Sequence, residues 1–135
     1  MTDDQFLQAF EDLSLDGKSF GHRDHVRLAW IYLGRYPAHE ALPAFANGLK
    51  RFAGHLGAPD KYHATITWAY LALINERMAR EIADNERPLD SWVAFSAANE
   101  DLFEWPDGAL AKYYKPSTLN SELARRTFLL PDNAP

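Results

Sequence analysis

Residues 41–57 read ALPAFANGLKRFAGHLG. Leu42, Phe45, Leu49, Phe52 and Leu56 recur at spacings of 3, 4, 3 and 4, the period of one helical face packed against neighbours. Pro43 fits such a helix only within the first turn, because a proline further in removes a backbone donor and crowds the preceding carbonyl. The same period extends in both directions along the chain. Toward the N-terminus, Thr2 stands three residues before Gln5, a capping-box spacing, and Phe6, Phe10 and Leu13 follow on one face. Residues 14–21, SLDGKSFG, carry two glycines and two serines and read as a loop. A second helix is expected from about Arg23 to Tyr36, stopped by Pro37.

Toward the C-terminus, GHLGAPD is a turn, and Asp60 is expected to cap the long helix that follows. On that helix His63, Ile66, Thr67, Tyr70, Leu71, Ile74 and Met78 share a stripe, and NERP closes it. A fifth helix carries Trp92, Phe95, Ser96 and Asn99. Shorter pieces follow: PDGALAKYY with Asp107 as a cap, SELARRTF capped by Ser121, and an extended tail. No alternating β-branched run or Asn-Gly hairpin signal occurs. The expected fold is all-α: a single-domain helical bundle over residues 1–135, with about five main helices plus short C-terminal helices.

Composition narrows the function. The 135 residues are 47% apolar and 24% charged, a globular balance with enough chain for a core. The 18 aromatics can build a core or wall a pocket. With no cysteine, disulfides, thiolate ligands and a cysteine nucleophile are excluded, which fits a reducing cytoplasm. A net charge of −5 argues against nucleic acid as a partner. No positively charged leader or long apolar span points to secretion or a membrane. The expected partner is a small-molecule substrate, and an exposed face of the third or fifth helix offers a homodimer surface.

Histidines supply the sharpest chemical feature. His22 and His25 stand at i and i+3, on a face continued by Val26, Ala29, Trp30 and Leu33. His63 begins the stripe of the fourth helix. Three inward histidines at two helix starts favour neutral imidazole, the form that binds metal. With an open fourth position they would form a catalytic centre for Zn, Fe or Cu, since imidazole suits each of these divalent ions. Zn would support hydrolytic or lyase-type chemistry, and Fe or Cu oxidative chemistry. Tyr62, Thr67 and Tyr113 are the candidate catalytic side chains, and Trp30 and Trp68 join Tyr62 and Tyr113 as pocket walls. Asp24 points away from the shared histidine face. His39 and His55 read as loop or helix-end residues outside the site. Lys112, Lys115, Arg125 and Arg126 gather cationic charge near the C-terminus.

The competing reading is a metal-free module that binds a small molecule or a protein, with the histidines as buried hydrogen-bonding residues. H-x-x-H is a short pattern, far less specific than H-E-x-x-H. A metal-free acid–base enzyme using His25 or His63 with a tyrosine is a third reading, with no nucleophile–base–orienter series to carry it.

Three blocks, HRDHVRLAWIYL (22–33), KYHATITWAYLALI (61–74) and YYKPSTLNSELARRTFLLPD (113–132), together resemble a family of small bacterial all-helical proteins. The resemblance covers about residues 20–131. It implies no substrate or reaction, but it places His22, His25 and His63 inside the blocks that define the likeness. The three-histidine metal bundles of the DinB type carry their close pair late in the chain, whereas here it comes early.

Overall fold

The computed structural model describes residues 1–85, 91–105 and 108–133. Among them the chain is all-helical, with no strand. The seven α-helices are α1 (Asp3–Glu11), α2 (His22–Arg35), α3 (Ala38–His55), α4 (Ala64–Asn85), α5 (Trp92–Ala98), α6 (Pro116–Leu119) and α7 (Glu122–Arg126). Three 3-10 turns, Pro59–Lys61, Glu100–Phe103 and Ala109–Lys112, join them.

α2 is the central element. Leu28, Ala29, Trp30, Ile31 and Tyr32 are all buried, so it is covered on every side along this stretch. It packs against α3 and α4, and the Glu100–Phe103 turn lies against it. α1 closes one side, with Thr2 and Gln5 forming the expected reciprocal capping box. α2 ends where Tyr36, the residue before Pro37, turns extended.

Two local expectations need correction. α3 starts at Ala38, so Pro43 lies inside the helix rather than in its first turn, while His39 and His55 lie at its two ends, as expected. Pro43 is exposed, so its ring makes no demand on the core, while the buried Ala41, Phe45, Ala46, Leu49 and Phe52 hold the helix down. Tertiary burial outweighs the lost backbone bond.

The second correction concerns the start of α4. Asp60 belongs to a separate 3-10 turn, and α4 is capped by His63, whose Nδ1 accepts the Ile66 N–H at 3.0 Å. The closing NERP expected after α4 lies outside the described residues beyond Asn85, as does Asp107. Ser121 caps α7 as expected, its hydroxyl accepting the Ala124 N–H.

Thr65, fully buried on α4, ties the C-terminal segment to the bundle. Its hydroxyl donates to the Thr127 carbonyl at 2.8 Å and accepts the Leu129 N–H at 3.1 Å. The Tyr114 hydroxyl donates to the Leu129 carbonyl at 2.8 Å, and Asp132 accepts from the Lys115 N–H and the Thr118 hydroxyl.

Candidate functional site

α2 begins in extended backbone at Gly21, and the Asp24 carboxylate accepts the Gly21 N–H at 3.0 Å. That bond turns Asp24 back onto the helix start and sets His22 and His25 on the neighbouring face. Their rings stack at 6.3 Å between centroids. The two histidines therefore do come together.

His22 is held by chain that is remote in sequence. Its Nε2 lies 2.7 Å from the Leu102 carbonyl, an obligate acceptor, so Nε2 carries the proton and Nδ1 keeps its lone pair. Tyr70 of α4 meets the ring edge-on at 4.9 Å, and Trp105 stacks on it at 4.8 Å. Burial lowers the His22 pKa, with the Leu102 carbonyl opposing that effect.

His25 sits deeper, against Phe45 at 5.1 Å and Tyr70 at 6.5 Å. Burial, reinforced by charge repulsion from His22, pushes its pKa down to about 3. Its Nδ1 is buried and meets no protein hydrogen-bonding group. Tyr70 is itself buried, and its hydroxyl is pushed up to about 12 by burial and by the charge of Asp101.

Gly108 lets the chain close over this tyrosine. A Cβ there would stand 2.1 Å from the Glu104 carbonyl oxygen and 3.2 Å from the Tyr70 hydroxyl. The Glu100–Phe103 turn is pinned to α4 by Arg77, which forks onto Asp101 with two bonds of 2.6 Å. Arg77 also donates to the Asn99 side chain at 3.1 Å. The pairing raises the Arg77 pKa and lowers that of Asp101.

His63 is engaged elsewhere. Its Nδ1 accepts the Ile66 N–H, so its Nε2 is the protonated nitrogen and donates to the Leu119 carbonyl at 2.7 Å. Both ring nitrogens are committed to backbone groups, Nδ1 capping α4 and Nε2 tying it to α6. Among the described residues no three His, Asp or Glu side chains stand close enough to hold a metal ion together.

The other sequence candidates are dispersed. The Tyr62 hydroxyl, raised by burial, meets the Thr67 and Trp68 side chains, and Lys50 lies 5.1 Å over its ring. Thr67 is buried there. Tyr113 is exposed, and its carbonyl accepts the Asp132 and Asn133 N–H groups. Trp30 packs on Trp92 and Phe95, and Trp68 stacks on Phe128 at 5.2 Å. These four walls do not enclose one space.

Of the cationic cluster, Arg125 bonds the Asp60 carbonyl and Glu122, and Arg126 pairs with Glu122. Two shallow surface recesses, one along α1 and one between Phe6, Phe20 and Arg27, are lined by no histidine.

Sequence reasoning missed Tyr70 as a site residue, reading it only as part of a stripe, and missed Trp105 altogether. Tyr70 carried one usable signal, a phenol on the same inward face as a histidine. Trp105 carried none, because it lies in irregular chain. No family model matches the chain, and neither a curated protein nor a solved structure matches it.

Proposed function

We propose that the protein is a metal-free module that binds a small molecule at the cluster of His22, His25, Tyr70 and Trp105. The observation that carries this reading is the His25 Nδ1, buried beside three aromatic rings without a protein partner. Buried polar atoms in native proteins are satisfied in the great majority of cases, and a ligand with a complementary hydrogen-bonding group would satisfy this one. The half-exposed Trp105 gives that ligand a flat apolar surface at the rim, with 54% of its area open to solvent. The net charge of −5 supports a small-molecule partner over nucleic acid, and the lack of cysteine supports a reducing, cytoplasmic setting. Among the described residues no helix is long and apolar enough to cross a membrane.

The three-histidine reading asks more of the molecule. Coordination through either nitrogen of His63 would break a backbone hydrogen bond, one of which caps α4. A cap of this kind contributes about 1 kcal/mol.

Tag-free protein is screened against fragments, small heteroaromatic amides and acids, with the His22 and His25 ring signals read by NMR, alongside elemental analysis. Fragment-induced shifts at His22, His25 and Tyr70 are expected, lost in His25→Phe and retained in His63→Asn, which keeps a capping acceptor. Stoichiometric Zn, Fe or Cu in the wild type, lost in each of His22→Ala, His25→Ala and His63→Ala, would overturn the proposal in favour of a metal centre.

A further inference from the structure

We infer that Arg77 is a positioning residue for this cluster, acting on His22 through the Asp101 carboxylate and the adjoining Leu102 carbonyl. The inference rests on reading the cluster as the binding site. The His22 ring owes its orientation to an acceptor on the Glu100–Phe103 turn, a four-residue piece with too few internal bonds to hold a position alone. Fixing that turn requires a tie to a long helix, and the Arg77 fork supplies it from α4.

The geometry is cooperative. Tyr70 and Arg77 are seven residues apart on α4, so one face of that helix carries both the ring against His22 and the anchor of the turn beyond it. Asn99 completes the anchor. It accepts from Arg77 and donates from its own amide to the Phe95 carbonyl at 2.9 Å, fixing the end of α5 to the same point. Leu102 is fully buried one residue after Asp101, so the carbonyl that receives His22 cannot shift independently of the ion pair.

A planar fork is needed for this tie. An ammonium group offers a single point charge and cannot hold both carboxylate oxygens and Asn99 in one plane. The consequence at His22 is a protonated Nε2 and a lone pair on Nδ1, fixed before any ligand arrives.

The test reads the His22 Nε2–H signal by NMR in Arg77→Met, Arg77→Lys and Asp101→Asn, with Thr65→Val as a variant that loosens a distant contact. Wild type and Thr65→Val are expected to show a slowly exchanging Nε2–H. In Arg77→Met and Asp101→Asn its exchange with water speeds up by about tenfold or more, the effect of losing one hydrogen bond. Arg77→Lys does not restore it, and the fragments bind correspondingly more weakly.

An Nε2–H that stays as protected in Arg77→Met and Asp101→Asn as in Thr65→Val, at similar loss of urea resistance, would overturn the inference and leave the pair a simple staple. Loss of the signal in both variants, with no fragment binding to the wild type, would overturn the binding reading while the positioning role stands.

Discussion

At pH 7 the His25 imidazole is neutral, because burial beside Phe45 and Tyr70 opposes its charged form. In the unfolded chain the same ring takes up a proton as pH falls through its ordinary 6.5, whereas in the fold it resists protonation until about 3. The unfolded state therefore binds more protons across that interval, and the stability present above pH 6.5 is lost progressively as pH drops. Between pH 6.5 and 5 the loss from His25 amounts to about 2 kcal/mol. His22, lowered in the same direction, adds to it. Urea unfolding at pH 7 and pH 5 should show a larger drop for wild type than for His25→Gln, and the His25 ring signals should not titrate between pH 8 and 5. A His25 midpoint near 6.5 would show that solvent reaches the ring.

At the scale of elements, the Thr65 hydroxyl makes two of the hydrogen bonds that fasten the C-terminal segment to α4, beside the Trp68–Phe128 stack. Thr65→Val keeps the side-chain shape but strands the Thr127 carbonyl and the Leu129 N–H, an expected cost of about 1–2 kcal/mol. Thr65→Ser should recover most of it, and protease cleavage after Arg125 or Arg126 should quicken in the valine variant alone. This contact also marks the limit of what the chain discloses by itself. The long stripes of α3 and α4 were legible because each presents a repeating face to one core, and spacing alone identifies such a face. α2 is buried on every side over Leu28–Tyr32, so its stripe disclosed only part of its packing. Which of Thr65 and Thr67 meets a carbonyl 62 residues away is not a matter of spacing. The same holds at the helix ends. Asp60 carries the better capping side chain, yet the 3-10 turn at Pro59 displaces it and leaves His63 at the cap. At the site, the pairing of His22 with His25 followed from helical period. Their enclosure by Tyr70, Leu102 and Trp105 depends on how α4 and an irregular turn dock onto α2, and no local pattern encodes that.

At the scale of the whole molecule, α1, α2 and α3 converge on a position with no side chain. A Cβ at Gly48 of α3 would lie 2.7 Å from Phe10 Cε2, 3.1 Å from its Cζ and 3.7 Å from the Tyr32 hydroxyl. Phe10 is completely buried between Phe20 and Phe52, at 6.3 and 5.5 Å, so it has little room to retreat. Helix propensity alone would make Gly48→Ala stabilising by about 1 kcal/mol. Overpacking at a site this closed costs about 1–3 kcal/mol, so the net change is expected to be destabilising. Adding Phe10→Leu separates the two effects. If the clash dominates, the alanine should become neutral or favourable once the ring is gone, giving a double-mutant coupling of about 1 kcal/mol or more in urea unfolding. Additive effects would mean that α1 slides away from α3 without resistance. Because Tyr32 and His25 both pack on Phe45, the strain in Gly48→Ala should also reach the His25 ring signals, linking the α1–α3 seam to the candidate site through α2.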